Sequence, residues 1–307
     1  MSTHPIKIAI VGAGTIGLSF AALHLTKNPK CTVTIYDTRA DLQDYMHTHL
    51  QEYLLNTDSN SCIRRLSIAP TLPDAVRDAA IVQEQGPEIA EFKIDVWPHI
   101  ERHAPQDALF WSSTSGIPAS VQNREMQAPG RLLVVHPFNP PHIMPLLEVV
   151  PSPQTPEDVV ERTLRYWKGL GRTPVVVKKE CTGFVANRLA FALFREACSL
   201  VTQGVVSVED CDEIVRASSG PRWAVAGPFK SYHAGGGEGG LKSFMEKIGG
   251  TVQACWEASE EDVKREDINV GGSWQAEVCR QAEVYGVVDT SERDSTTRKV
   301  LAAAGRP

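Results

Sequence analysis

No apolar run in this chain approaches the length of a membrane span, and no stretch concentrates lysine and arginine among aromatic residues. The first absence argues against a membrane-crossing helix. The second, with a net charge of −6, argues against a nucleic-acid partner. Cysteine is scattered rather than arranged. Cys31, Cys62, Cys181, Cys198, Cys211, Cys255 and Cys279 are odd in number and form no CxxC pair, so neither a disulfide framework nor a structural zinc site is expected. The opening residues MSTHPIKIAIVGAG enter a strand directly, with no basic segment, apolar signal core or cleavage site. These absences together predict a cytoplasmic protein with no metal. No internal repeat is present, and the one biased tract is the glycine-rich AGGGEGG at 234–240.

What is present is enough apolar material for a substantial core. At 42% hydrophobic over 307 residues the chain favours two domains over one. The first half alternates short apolar runs with amphipathic segments: IKIAIV, a helix from about Thr15 to Lys27, TVTIYD, AAIVQEQ, a helix, ALFWSS and RLLVVHPF. That alternation predicts an α/β domain whose parallel sheet is covered on both faces. It continues to TPVVVKK at 173–179, preceded by a helix that Thr155, Pro156 and Glu157 open as N-cap, first-turn proline and first-turn acid. Beyond Gly183 the periodicity is helical throughout. FVANRLAFALFREACSLVTQG ends at Gly204, and Ser207 with Asp210 opens SVEDCDEIVRA like a capping box. The expected division falls near Glu180, giving residues 1–180 as one domain and an all-α domain over 181–307 for substrate and dimerisation.

GAGTIG, from Gly12 through Gly14, Thr15 and Ile16 to Gly17, is a GxGxxG pattern standing between a strand and a helix. In that setting the first glycine makes the tight turn, the second lets backbone approach a pyrophosphate, and the third lets helix pack on strand. The helix-start amides then face the anion. Asp37, at the end of the second strand, can accept hydrogen bonds from both ribose hydroxyls and repel a 2′-phosphate. The first domain is therefore expected to be a doubly wound, Rossmann-type domain that binds NAD, although Arg39 nearby is the kind of residue that greets the phosphate of NADP.

A nicotinamide needs a partner base to take the proton from the alcohol being oxidised. His136 ends the strand RLLVV at the carboxyl edge of the sheet, where open α/β folds bind ligands. Glu148 lies within an apolar strand, where a carboxylate is costly unless paired. The NPP turn between them brings the two strands side by side, so imidazole and carboxylate are expected to pair, fixing the tautomer and stabilising an imidazolium. HIERH at 99–103 lacks the acid spacing of HExxH and has no third ligand, and reads as an exposed helix end before Pro105.

SSTSGI at 112–117, HPFNPPHIMPLLEVV at 136–150 and TGFVANRL at 182–189 resemble the three signatures of the L-3-hydroxyacyl-CoA dehydrogenase superfamily. HPFNPP, GVVSVEDCDEIV and PRWAVAGPF resemble more closely its branch containing lambda-crystallin, an L-gulonate 3-dehydrogenase, and the carnitine dehydrogenases. The resemblance runs from Ile6 to about Phe244. It implies that His136 is the acid/base and Glu148 its orienting carboxylate, and that Ser115 and Asn187 hold the reacting oxygen. It further implies that Asn139, Glu88 and Lys93 lie around the nicotinamide half, and that two copies pair through the helical domain.

The substrate expected on this basis is a small L-3-hydroxy acid, interconverted with its 3-keto acid and gulonate-like. Relatives that use CoA place cations after the second strand. Here the segment from Arg39 to Arg64 holds no lysine or arginine between its ends but four acids, Asp41, Asp44, Glu52 and Asp58, which would repel a phosphorylated carrier. Arg222 is the candidate partner for the substrate carboxylate, with Lys230 behind it. Trp223, Phe229 and Tyr232 form either a cage for a quaternary ammonium, as carnitine would require, or part of a core. Gulonate would instead call on His233, Ser231 or glycine-loop amides. A 3-hydroxyacyl-CoA dehydrogenase remains an alternative through Lys242 and Lys247, as does a non-catalytic NAD-binding sensor or crystallin-like protein.

Overall fold

The last four residues of the segment IKIAIV are buried although adjacent side chains point to opposite faces, which requires a strand in the interior of a sheet covered on both sides. The same continuous burial recurs at Ile81–Glu84, Leu109–Ser112 and Leu132–Pro137. A computed structural model describes residues 5–54 and 58–306 and shows how these strands assemble. The elements of the first part run β1 (Ile6–Val11), α1 (Thr15–Lys27), β2 (Cys31–Tyr36), α2 (Leu42–Tyr53), α3 (Ser59–Ile63), β3 (Leu66–Ile68), α4 (Leu72–Val76), β4 (Ile81–Glu84), α5 (Ala90–His103), β5 (Leu109–Ser112), α6 (Ala119–Gln122), β6 (Leu132–Pro137), β7 (Leu146–Pro151), α7 (Glu157–Gly169) and β8 (Thr173–Val176). They form one eight-stranded sheet in the order β3-β2-β1-β4-β5-β6-β7-β8. Every neighbouring pair is parallel except β6 and β7, which the Asn139–Pro140–Pro141 turn folds back antiparallel.

Alternate residues of the central strands β1, β4, β5, β6 and β7 feed two separate cores, and β2 feeds one of them. Ile8, Ile10, Val33, Ile35, Leu133 and Val135 pack with Leu18 and Phe20 of α1 and Trp167 of α7 on one face. Ala9, Val11, Val82, Phe110 and Val134 pack with Trp97 and Ile100 of α5 on the other. The result is the doubly wound α/β domain that the alternation predicts. One local expectation differs, and one strand was not anticipated. Thr155 does not cap α7, whose N-cap is Pro156; its hydroxyl instead donates to the Leu132 carbonyl and accepts from the Ser152 amide, tying the chain to the root of β6. The strand LSI at β3 is too short to show a period and lies at the sheet's edge, half-buried or exposed throughout.

Two compact units are resolved, the first running to Asn187 and the second spanning Arg188–Arg306. The first thus continues past the expected division near Glu180, because the amides of Val185 and Ala186 are hydrogen-bonded to the Glu148 carboxylate of β7. The second unit is helical: α8 (Ala186–Thr202) continues into it, followed by α9 (Val208–Ala217), α10 (Ser219–Gly235), α11 (Gly240–Arg265), α12 (Trp274–Ala282) and α13 (Thr290–Ala303). Gly204 follows α8 at φ +69, and Ser207 accepts the Asp210 amide at the start of α9. Its buried cluster, Cys198, Val263 and Ile268 with Trp274 and Val278 against it, is small. Among the described residues no helix is long and apolar enough to cross a membrane.

Candidate active site

The turn from β1 into α1 shows why each glycine of GAGTIG is needed. Gly12 sits at φ +101, and a Cβ there would meet the Gln85 carbonyl carbon at 2.8 Å. A Cβ on Gly17 would stand 2.0 Å from the Gly12 carbonyl oxygen, so helix and turn touch only because no side chain intervenes. Gly14 differs: a Cβ there meets nothing within 4 Å. Gly14 is the N-cap of α1 and supplies no side-chain hydrogen bond, leaving the first-turn amides of exposed Thr15 and half-buried Ile16 open to an external acceptor. At the end of β2, Asp37 is fixed beside this turn. Its Oδ2 accepts from the Ala13 amide at 2.6 Å and its Oδ1 from the Arg39 amide at 2.9 Å. Open space in front of Gly14, uncapped amides and a placed carboxylate with remaining acceptor capacity fit an anionic dinucleotide with free ribose hydroxyls.

At the carboxyl end of β6, His136 lies directly opposite Glu148 of β7. Their side chains are 5% and 4% exposed, and His136 Nδ1 is 2.8 Å from Glu148 Oε2. Glu148 Oε1 accepts from Val185 at 2.9 Å and Ala186 at 3.0 Å. Burial pushes the Glu148 carboxyl up, but the hydrogen bonds from His136, Ala186 and Val185 outweigh it and hold the group below its ordinary value. A carboxylate facing Nδ1 requires the proton on that nitrogen, which leaves Nε2 as the base of the neutral ring. The paired amides arrive through Gly183 at φ 74 and Phe184 at φ 51, a left-handed turn that a phenylalanine adopts only under constraint. Phe184 is fully buried with its ring 5.3 Å from that of His136.

The loop SSTSGI after β5 is gathered by one acid. Glu88 Oε1 accepts from the Thr114 hydroxyl at 2.5 Å and from the amides of Ser115 at 3.0 Å and Gly116 at 3.1 Å. Ser115 is exposed, and its hydroxyl makes no hydrogen bond among the described residues. Its carbonyl accepts from Asn187 Nδ2 at 3.0 Å. Ser115, Asn187, Glu148 and His136 are thereby joined, since Asn187 directly follows the Ala186 amide that Glu148 holds. Lys93, expected beside the nicotinamide, presents no free ammonium. It is 1% exposed and its Nζ lies 2.9 Å from each oxygen of Glu84, so its charge is met by that buried acid. Asn139 is exposed in the turn after β6. That turn is held by Arg172, which donates to the Pro141, Ile143 and Met144 carbonyls, and by Ser19 of α1, whose hydroxyl accepts from the His142 amide.

Sequence reasoning missed Glu84, which completes its pairing with Ser112 Oγ at 3.2 Å and the Gly86 amide at 2.6 Å. The signal was available: an acid inside the apolar run IVQE poses the same question as Glu148 does in LLEVV. Arg222, Trp223 and Lys230 stand on α10 of the second unit, where Arg222 and Lys230 are exposed and Trp223 is half-buried. Neither cation makes an ion pair or hydrogen bond among the described residues.

Residues 7–181 match the NAD binding domain of 3-hydroxyacyl-CoA dehydrogenase, and residues 183–268 match the C-terminal domain of that enzyme. The chain belongs to the 3-hydroxyacyl-CoA dehydrogenase family. It is an NAD-dependent oxidoreductase of that family. An L-carnitine dehydrogenase of Streptomyces griseus is 34% identical over 309 residues, which cover 98% of this chain and 90% of that protein. A 3-hydroxyacyl-CoA dehydrogenase of Gibberella moniliformis is 35% identical over 257 residues, covering 81% of this chain and 79% of that one. Among solved structures, a 5-formyl-3-hydroxy-2-methylpyridine 4-carboxylic acid 5-dehydrogenase, described as an NAD+-dependent dismutase, superposes with a TM-score of 0.77 at 27% identity, covering 99% of this chain and 100% of that one.

Proposed function

We propose that the chain oxidises the C3 hydroxyl of a small L-3-hydroxy acid to the ketone, and runs the reverse reaction, with His136 as the acid/base. The observation that carries this reading is the buried His136–Glu148 pair at 2.8 Å, at the same carboxyl edge as the glycine turn. In oxidation the substrate hydroxyl gives its proton to Nε2 of neutral His136, and Glu148 offsets the positive charge that forms on the ring. Bound NAD+ supplies the acceptor for the hydride that leaves C3. Ser115 donates its free hydroxyl to the reacting oxygen. Asn187, with one amide hydrogen on the Ser115 carbonyl, keeps that residue in place and has a second hydrogen to give. Gly12, Gly14, Thr15, Ile16, Gly17 and Asp37 hold the nucleotide, while Glu88, Lys93 and Asn139 shape the nicotinamide end.

A free acid is favoured over a CoA thioester because Asp41, Asp44, Glu52 and Asp58 are all exposed in the segment after β2, giving that surface the sign that repels phosphates. Among free acids L-carnitine is the leading candidate. It is the substrate named for the Streptomyces griseus relative that matches 98% of this chain. Of the three aromatics of α10, Trp223 is half-buried while Phe229 is 79% and Tyr232 45% exposed, and exposed aromatic faces of this kind suit a quaternary ammonium. For the carboxylate we retain Arg222, with Lys230, on the chemistry of a guanidinium that has no partner among the described residues. An L-gulonate-like substrate is the second reading. A homodimer through the helical unit is part of the proposal and rests on exposed Leu189, Phe191 and Phe194 of α8. A reducing, cytoplasmic location rests on seven free thiols.

The test is NADH formation by the purified protein with L-carnitine, L-gulonate, 3-hydroxybutyrate and the CoA thioester of the last. Turnover of a free acid is expected. Turnover of the thioester alone would overturn the free-acid argument, and tight NADH binding without turnover of any of the four would favour a non-catalytic sensor.

A further inference from the structure

Asp37 is followed two residues later by a cation that ought to weaken its discrimination against NADP. The Arg39 amide donates to Asp37 Oδ1 at 2.9 Å, so the arginine begins at the very carboxylate expected to meet the ribose. An arginine rooted there is the usual means of accepting a 2′-phosphate. Its guanidinium, however, is engaged from two directions. Along one edge, Nε lies 2.8 Å from Asp41 Oδ1 and Nη2 lies 3.4 Å from Asp41 Oδ2. Across one face, Cζ stands 3.5 Å from the centroid of the Tyr45 ring, which α2 presents. The Tyr45 ring is itself backed by His49, with ring centroids 4.4 Å apart.

We propose that Asp41 and Tyr45 are specificity-determining residues for the cofactor: they sequester the Arg39 guanidinium from the 2′ position, so that Asp37 acts as an unopposed acid and the chain prefers NAD to NADP. This rests on the NAD-binding assignment and deepens it. The magnitudes decide how large the effect is. Arg39 and Asp41 are 31% and 61% exposed, and an ion pair in that setting holds a side chain only weakly. Stacking on an aromatic face adds a comparable amount, and two partners that constrain edge and face together select one rotamer of a long, flexible side chain. The combined bias is worth about three- to tenfold in relative affinity for the two dinucleotides.

The experiment is equilibrium titration with NADH and with NADPH, followed by nicotinamide fluorescence, in the wild-type chain, Asp41→Ala, Arg39→Ala and the double variant. In Asp41→Ala the affinity for NADPH relative to NADH should rise about three- to tenfold, and the double variant should lose that gain, because the benefit is delivered by Arg39. Tyr45→Leu, which frees the face and leaves the edge, should shift the ratio in the same direction by a smaller factor. An unchanged ratio in both Asp41→Ala and Tyr45→Leu would overturn the proposal. So would a gain that survives without Arg39, since removal of one negative charge would then account for it. A wild-type chain that bound neither dinucleotide would overturn the cofactor assignment itself, a different failure from either of these.

Discussion

Glu148 shows how much one buried side chain can be asked to do. Its two oxygens divide their work: Oε2 faces the imidazole and Oε1 takes two backbone amides, so the charge that orients His136 also fastens the chain at Val185 and Ala186. Replacing the acid by glutamine separates these tasks. In Glu148→Gln the carboxamide oxygen still suits the two amides, and that choice turns its NH2 toward Nδ1. A donor facing Nδ1 drives the ring proton to Nε2, the atom that must be bare to accept a proton from the alcohol. Turnover should therefore fall nearly as far in Glu148→Gln as in His136→Ala, by about a hundred- to ten-thousandfold, while both variants still bind NADH. Steady-state kinetics beside NADH titration checks this, and a glutamine variant with wild-type kcat would remove Glu148 from the mechanism.

Elements were legible wherever burial writes a pattern. The strands β1, β2, β4, β5, β6, β7 and β8 each coincide with an apolar run, and α1 spans Thr15–Lys27 as expected, although Gly17–Leu25 are buried without a break rather than along one face. The antiparallel return of β7 was readable from two prolines and a stranded acid, and the register sets His136 opposite Glu148. What the pattern does not write is contact between an oxygen and a backbone amide far along the chain. Nothing in TGFVANRL announces that the amides of Val185 and Ala186 close on an acid 37 and 38 residues earlier, or that Glu88 gathers a loop 26 to 28 residues later. Such bonds depend on tertiary approach, and backbone groups look alike in every sequence. The glycine turn lets the two kinds of information be separated by experiment. Gly17→Ala places a Cβ 2.0 Å from a carbonyl oxygen and should lower the melting temperature as well as cofactor affinity. Gly14→Ala meets nothing within 4 Å in the protein, so it should melt as the wild type does and yet bind NADH about tenfold or more weakly. A melting temperature that falls in Gly14→Ala as it does in Gly17→Ala, or an unchanged NADH affinity in Gly14→Ala, would contradict a reading of Gly14 as room for a ligand.

At the scale of the whole first unit, a buried polar chain crosses the core and makes stability depend on pH. His24 of α1 is fully buried, with Nδ1 2.7 Å from the Tyr166 hydroxyl of α7 and Nε2 2.9 Å from Gln83 Oε1 of β4. Gln83 passes the chain on, donating to Ser113 Oγ at 3.1 Å beside the Ser115 loop. Neutral imidazole satisfies this arrangement: the Tyr166 hydroxyl donates to Nδ1, and Nε2–H donates to Gln83. Burial lowers the His24 pKa from 6.5 to about 4, against the smaller opposing effect of the Gln83 hydrogen bond. The sign follows from linkage. The unfolded chain takes up this proton near pH 6.5 and the folded one only near 4, so stability is whole above pH 6.5 and is lost as pH falls between those values, by on the order of 3 kcal/mol. The depressed acids enter later: Glu148 and Asp41 have ordinary values of 4.5 and 3.8, so their contributions are lost only below about pH 4.5. Of these three groups only His24 acts between pH 6.5 and 4.5. Urea midpoints for the wild-type chain should fall steadily across it, and in His24→Asn, which starts less stable because Tyr166 and Gln83 lose a shared partner, they should be nearly level. Equal slopes in the two proteins would mean that the imidazole is protonated inside the fold, and the neutral chain from Tyr166 to Ser113 would have to be redrawn.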